Sequence, residues 1–126
     1  MKLSNKSAPA GEQSRGKALD HIPLKNKDIH EFREESGTVT IHYPITMRPF
    51  FASLAKRLGG AHEQTRIRKL QLDILGTSVW EMMDGRQSVR QIITAFGKVH
   101  QLERREAEVA VTQFVRELGK RGLIGL

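Results

Sequence analysis

Few side chains in this sequence have the types and spacing that catalyse reactions. The chain of 126 residues contains no cysteine, which excludes disulfides, thiolate zinc sites, iron–sulfur clusters and cysteine nucleophiles. It has no glycine-rich phosphate loop and no H-E-x-x-H or G-x-S-x-G motif. The histidines are scattered, and no two stand at the helical spacing of metal ligands: His21, His30, His42, His62 and His100. The sequence therefore predicts no metal and no cofactor.

One pair of carboxylates could be imagined as an acid and a base. Glu81 and Asp84 lie near the predicted end of a helix, and Gly85 follows them. General acid–base catalysis also needs a pocket and a third group that orients the pair. The sequence indicates neither, so we interpret the pair as solvated residues that close a turn. We predict that the protein is not an enzyme.

The net charge of +7 suggests a nucleic-acid partner until its location is considered. Residues 1–27 contain six bases and two acids, a surplus of four, which leaves a surplus of three for the rest of the chain. This segment is rich in Ser, Gly, Lys and Pro and has no hydrophobic period, which predicts a disordered basic tail. The sequence lacks both the apolar core of a signal peptide and a run near the roughly 18 residues that span a membrane. We expect a cytoplasmic protein.

Alternation with period two predicts the strands. Residues 29–43 read as a β-hairpin in which Val39, Ile41 and Tyr43 share a buried face, and Pro44 is expected to end the ladder. Residues 66–72 read as a third strand whose bases suit an exposed sheet edge. Residues 44–65 between them are an insert, in which an apolar stripe predicts a short helix: Phe50, Phe51, Leu54 and Leu58.

A period of 3.6 residues begins after Asp73 and predicts three helices. The first ends at Asp84 and Gly85, and the second starts at Ser88 with Gln91 in a capping box. The third runs from about residue 103 to residue 120. The side chains predicted to face inward are Leu75, Val79, Trp80 and Met82 or Met83 on the first helix, Val89, Ile92, Ile93, Phe96 and Val99 on the second, and Ala107, Ala110, Val111, Phe114, Val115 and Leu118 on the third.

Three segments of the C-terminal half have the order and spacing of a known family. Residues 72–85 read L-D-I-L-G-T-S-V-W-E-M-M-D-G, residues 88–93 read S-V-R-Q-I-I, and residues 114–124 read F-V-R-E-L-G-K-R-G-L-I. They resemble L-D-x-x-G-x-x-[IV]-W-E-x-x-D-G, T-V-x-E-I-[IV] and F-L-x-x-L-x-x-R-G-L-I of PqqD-like proteins, named for pyrroloquinoline quinone (PQQ) synthesis. The differences are Ser88, Gln91 and Val115. The resemblance covers about residues 70–124 and, more loosely, the hairpin.

The resemblance implies an α+β, winged-helix-like domain over residues 28–126, with a small three-stranded antiparallel sheet followed by a three-helix bundle. It implies a peptide chaperone, or RiPP recognition element, which binds the leader of a ribosomally made precursor peptide and presents it to a radical S-adenosylmethionine (SAM) enzyme. In such modules the leader pairs with the third strand and lies against the last helix. The matching residues here are Ile67, Arg68, Lys69, Leu70, Gln71 and Leu72 on the strand, and Gln113, Arg116, Glu117 and Lys120 on the helix.

Two alternatives remain open at this point. The insert at 44–65, where typical members of the family have a tight turn, could cover the third strand. The second alternative is a winged-helix DNA-binding protein, whose recognition helix would enter the major groove through its first turns. The last helix begins with Glu103, Arg104, Arg105, Glu106 and Glu108. Three acids against two bases disfavour an approach to phosphates, so we expect no nucleic-acid partner.

Overall fold

The computed structural model describes residues 16–47 and 64–126. The chain divides into two compact units: a sheet unit made of residues 27–73, and a helical unit made of residues up to 26 together with residues 74–126. The predicted α+β class, with a small antiparallel sheet and several helices, is confirmed. In chain order the elements are β1 (Leu24–Lys25), β2 (His30–Arg33), β3 (Val39–Met47), β4 (Gln64–Gln71), α1 (Ile74–Met82), α2 (Val89–His100), α3 (Arg104–Lys120) and β5 (Ile124–Gly125).

The sheet unit is an antiparallel ladder in the order β2-β3-β4. The predicted hairpin is confirmed: β2 and β3 pair from His30 opposite His42, and their turn holds Gly37 at a φ of +91°, which glycine adopts without strain. The side chains of Val39, Ile41 and Tyr43 are buried, as their alternation predicts.

Thr40 departs from that alternation because it is buried although it lies on the opposite face. Its hydroxyl donates a hydrogen bond to the Glu34 carboxylate over 2.6 Å, which satisfies the buried oxygen.

The prediction that Pro44 ends the ladder was wrong, since β3 continues to Met47 and pairs with β4 throughout. Alternate residues of a strand direct their backbone groups to opposite neighbours. The Thr38 carbonyl accepts a hydrogen bond from the Glu34 amide on the β2 side. The backbone N–H and C=O groups of the even-numbered residues of β3 are therefore directed towards β2. At Pro44 that side has no ladder partner, because β2 pairs only as far as His42. The missing N–H therefore interrupts nothing.

The predicted insert is shorter than expected. Residues 44–47 belong to β3 and residues 64–65 to β4, which leaves residues 48–63 between the strands. The helix predicted at Phe50, Phe51, Leu54 and Leu58 lies outside the described residues. The third strand itself, predicted over residues 66–72, is confirmed as β4.

The helical unit begins and ends its helices at the residues that the sequence indicates. The Ser88 hydroxyl accepts from the Gln91 amide over 3.1 Å and the Gln91 side chain accepts from the Ser88 amide over 2.8 Å, so the capping box is confirmed. In α3, Glu103 is the N-cap. Gly122 follows the helix with a φ of +75°.

The core of this unit agrees with most of the predicted apolar faces. Leu75 and Val99 are exceptions, with exposed fractions of 46% and 62%, because each stands on the outer flank of its helix. Ala110 and Phe114 are half-buried. The fully enclosed side chains include Val79, Trp80, Ile92, Ile93, Phe96, Val111, Leu118 and Leu123.

Residues 16–26 contradict the tail predicted over residues 1–27. Residues 16–19 are helical, β1 pairs with β5, and the His21 carbonyl accepts a hydrogen bond from the Val89 amide over 2.9 Å. Leu19 and Pro23 are buried. The apolar residues of this segment are too few to give a hydrophobic period, yet two of them are buried in the same unit as the three helices. The first 15 residues lie outside the described part of the chain.

Candidate functional site

The strand predicted to bind a peptide is at the edge of its sheet. Within the described residues β4 has one neighbour, β3, so its outer side carries backbone groups without a ladder partner. The side chains of residues 66–69 and of Gln71 are exposed, whereas Leu70 is half-buried and Leu72 is buried. With respect to residues 16–47 and 64–126, the strand therefore has an open edge over most of its predicted site.

The hydrogen-bond pattern identifies which residues of β4 point outward. The Leu72 amide donates to the Val39 carbonyl over 2.9 Å, which marks this pair as hydrogen-bonded. Hydrogen-bonded pairs alternate with non-bonded pairs along an antiparallel ladder. The register then assigns Arg68 and Leu70 to bonding with β3. The amides and carbonyls of Ile67, Lys69 and Gln71 are consequently directed at the open edge.

Side chains on β4 alternate between the two faces of the sheet, and both faces carry positive charge. Arg66 and Arg68 share a face with Leu70, while Lys69 shares the other with Ile67. Ile67 is 63% exposed, which is high for an isoleucine in a strand. Among the residues that the structure describes, these three bases have no acidic partner.

The four predicted helix residues lie on one exposed face of α3. Gln113, Arg116, Glu117 and Lys120 follow the helical spacing and are all exposed. The Glu117 carboxylate accepts a hydrogen bond from Arg121 over 3.0 Å. The structure thus collects the helix residues on α3 and the strand residues on β4, each set within its own unit.

The sequence did not predict a groove of about 470 Å³ in the helical unit. Its walls come from the helical turn at residues 16–19, α2, α3 and the C-terminal residue. Arg116 contributes to this groove as well as to the predicted face of α3. Its other lining residues are Ala18, Leu19, Val89, Glu108, Thr112, Val115, Gly119 and Leu126. The pair Ala18-Leu19 was the available signal, but it falls within the segment interpreted as a tail.

Asp84 has the local role predicted for it. Its carboxylate accepts hydrogen bonds from the amides of Arg86, over 2.8 Å, and Gln87, over 3.1 Å. These bonds, that from Arg86 first, lower the pKa of Asp84 because they favour its charged form. Gly85 stands in the same turn at a φ of +80°. The carboxylate therefore holds the connection between α1 and α2.

Residues 65–124 match a family model described as coenzyme PQQ synthesis protein D (PqqD). Over these residues the chain is PqqD-like. The match contains α1, α2 and α3 in full and nearly all of β4. All ten predicted site residues fall within it. The resemblance found in the motifs is thereby confirmed. Searches of curated proteins and of solved structures found no match.

In residues 16–47 and 64–126, no three His, Asp or Glu side chains gather as potential metal ligands. No helix of the described segments combines the length and the apolar character needed to cross a bilayer.

Proposed function

We propose that this chain is a non-catalytic peptide-binding module that captures the leader of a ribosomally made precursor peptide by adding it as a strand to β4. The bound leader is then presented to a modifying enzyme of the radical SAM type. The match to the PqqD family model suggests involvement in PQQ synthesis, so the modification of the bound peptide would be a step of that synthesis or of a related one.

One observation carries this proposal: the outward backbone groups of Ile67, Lys69 and Gln71 at the edge of the sheet. An extended peptide that pairs with them gains main-chain hydrogen bonds on every second residue. Because the ladder beside them is regular over eight paired positions, the edge is already ordered for binding. A preorganised edge lowers the entropy that association must overcome.

The side chains of the strand supply specificity for the peptide sequence, which backbone pairing alone lacks. Hydrogen bonds to the backbone are independent of sequence, whereas Ile67, Arg68 and Lys69 distinguish one peptide from another by apolar contact and charge. Arg66, Arg68 and Lys69 attract acidic residues, and added salt screens this attraction. The contribution of Gln113, Arg116, Glu117 and Lys120 remains a prediction from the family resemblance.

The DNA-binding alternative gains no support at the start of α3. Glu106 accepts a hydrogen bond from the Glu103 amide over 3.0 Å in a capping box, so two carboxylates occupy the end that would meet phosphates. Titration with random duplex DNA at two salt concentrations tests this alternative, which requires a steep loss of affinity with salt.

The proposal is tested with peptides selected from a random 12-residue display library against the full chain. Affinity for the selected peptides is compared between Lys69→Pro, which removes an outward N–H, and Lys69→Ala, which keeps it. We expect Lys69→Pro to abolish binding and Lys69→Ala to retain most of it. Circular dichroism must show that both variants remain folded. Equal affinities for the two folded variants would refute strand addition at β4.

A further inference from the structure

The exposed side chains of β4 form an ordered pattern along its open edge. From residue 70 back to residue 66 the side chains are apolar, basic, basic, apolar and basic: Leu70, Lys69, Arg68, Ile67 and Arg66. Leu70 is half-buried and Ile67 is 63% exposed, so both apolar side chains remain accessible. The three bases have no acidic partner among the described residues.

A strand added to this edge places each of its residues opposite one residue of β4 and on the same face of the sheet. Opposite charges and apolar pairs at such positions stabilise a ladder, and mismatched positions do not. The complement of the β4 pattern is therefore a peptide with apolar side chains opposite Leu70 and Ile67 and acidic side chains opposite Lys69, Arg68 and Arg66.

The direction of the added strand determines the order in which these apolar and acidic residues follow one another in the peptide. Both existing pairings of the sheet are antiparallel, and antiparallel pairing is slightly the more stable per residue. An antiparallel peptide runs from the residue opposite Leu70 to the residue opposite Arg66. We propose that β4 selects peptides that read, from N to C, apolar–acidic–acidic–apolar–acidic. This inference rests on the proposed function and names the substrate class of the same edge.

The ladder also ranks the contributions of the basic residues. Lys69 directs its backbone at the added strand and stands in a hydrogen-bonded pair, in which the two Cα atoms are about 5.5 Å apart. Arg68 bonds inward to β3 and stands in a non-bonded pair with the added strand, in which the Cα atoms are about 4.5 Å apart and the side chains are closer. Arg68 therefore contributes more than Lys69 to the preference for acidic side chains in the added strand. Its guanidinium can also bind a carboxylate through two N–H groups.

Two synthetic peptides of equal composition test this inference on the full chain. One carries the forward core Leu-Glu-Glu-Leu-Glu and the other the scrambled core Leu-Leu-Glu-Glu-Glu, each between Gly-Ser flanks. We expect the forward core to bind about tenfold more tightly at low salt, because no register of the scrambled core places leucines opposite both Leu70 and Ile67. Arg68→Gln should weaken the forward peptide by about fivefold and Lys69→Gln by about twofold.

The outcomes separate this inference from the proposed function. Equal affinity for the two cores, tighter binding of the scrambled core, or no binding of either would overturn the proposed pattern. The proposed function survives each of these results if Lys69→Pro still abolishes the binding of library-selected peptides. A variant pair with charge reversed, Arg66→Glu with Arg68→Glu, should instead prefer the core Leu-Lys-Lys-Leu-Lys to the acidic forward core. An unchanged preference for the acidic core would also overturn the inference.

Discussion

The ammonium nitrogen of Lys25 lies 4.2 Å from the centroid of the Trp80 ring, over its face. Lys25 belongs to β1 and Trp80 to α1, and the tryptophan has no exposed surface. A cation above an indole ring is attracted by the negative face of the ring. The N-terminal segment is thus joined to α1 by an interaction with the largest enclosed side chain of the unit that contains both.

Replacement of this tryptophan should be among the most damaging changes in the chain. Trp80→Ala removes a wholly buried ring and should lower the free energy of unfolding by about 3–5 kcal/mol. Urea denaturation followed by circular dichroism measures the loss, with Trp80→Phe expected to lose less because it keeps an aromatic ring. A midpoint equal to that of the wild type would mean that the ring is not part of the core.

Two leucines of the N-terminal segment form a matched pair for testing its packing. Leu19 is buried, whereas Leu24 is 58% exposed. Leu19→Ala should destabilise the chain by about 2–4 kcal/mol, and Leu24→Ala by about 1 kcal/mol or less. Thermal unfolding of the two variants makes the comparison. Equal melting temperatures for Leu19→Ala and the wild type would instead support the prediction from the sequence that this segment is a disordered tail.

Stability in acid should depend on Asp84. Because the Arg86 and Gln87 amides lower its pKa in the folded state, the folded chain binds this proton less readily than the unfolded chain. The stabilisation is present above the unfolded pKa and is lost as the pH falls through the folded one. Asp84→Asn should therefore show a shallower loss of stability between about pH 5 and about pH 2. Identical acid profiles for variant and wild type would contradict this role of the turn.

Local features of the fold could be predicted from the sequence because short segments determine them. The capping box at Ser88 and Gln91, the turn at Asp84 and Gly85 after α1, and the hairpin before residue 44 all depend on neighbours within a few residues. The motifs at residues 72–85 and 114–124 also identified the family correctly.

Features that depend on distant partners could not be predicted in the same way. Period and propensity do not reveal that Leu19 is buried or that Val99 is exposed, since tertiary packing decides both. Pro44 remains within a strand because β2 pairs with β3 only as far as His42, and this is known only from the register of the sheet. The strand at residues 66–72 was predicted, but the outward direction of Lys69 follows only from its pairing with β3.

The pairing of a bound peptide with those outward amides is tested most directly by amide hydrogen exchange resolved by NMR. The full chain is measured with and without a library-selected peptide at saturation. Strand addition at β4 predicts new protection in alternation: the amides of Ile67, Lys69 and Gln71 slow on binding, while those of Arg68 and Leu70 change little because they already bond to β3. Protection confined to residues 48–63 or to the helices, with Ile67, Lys69 and Gln71 unchanged, would contradict it.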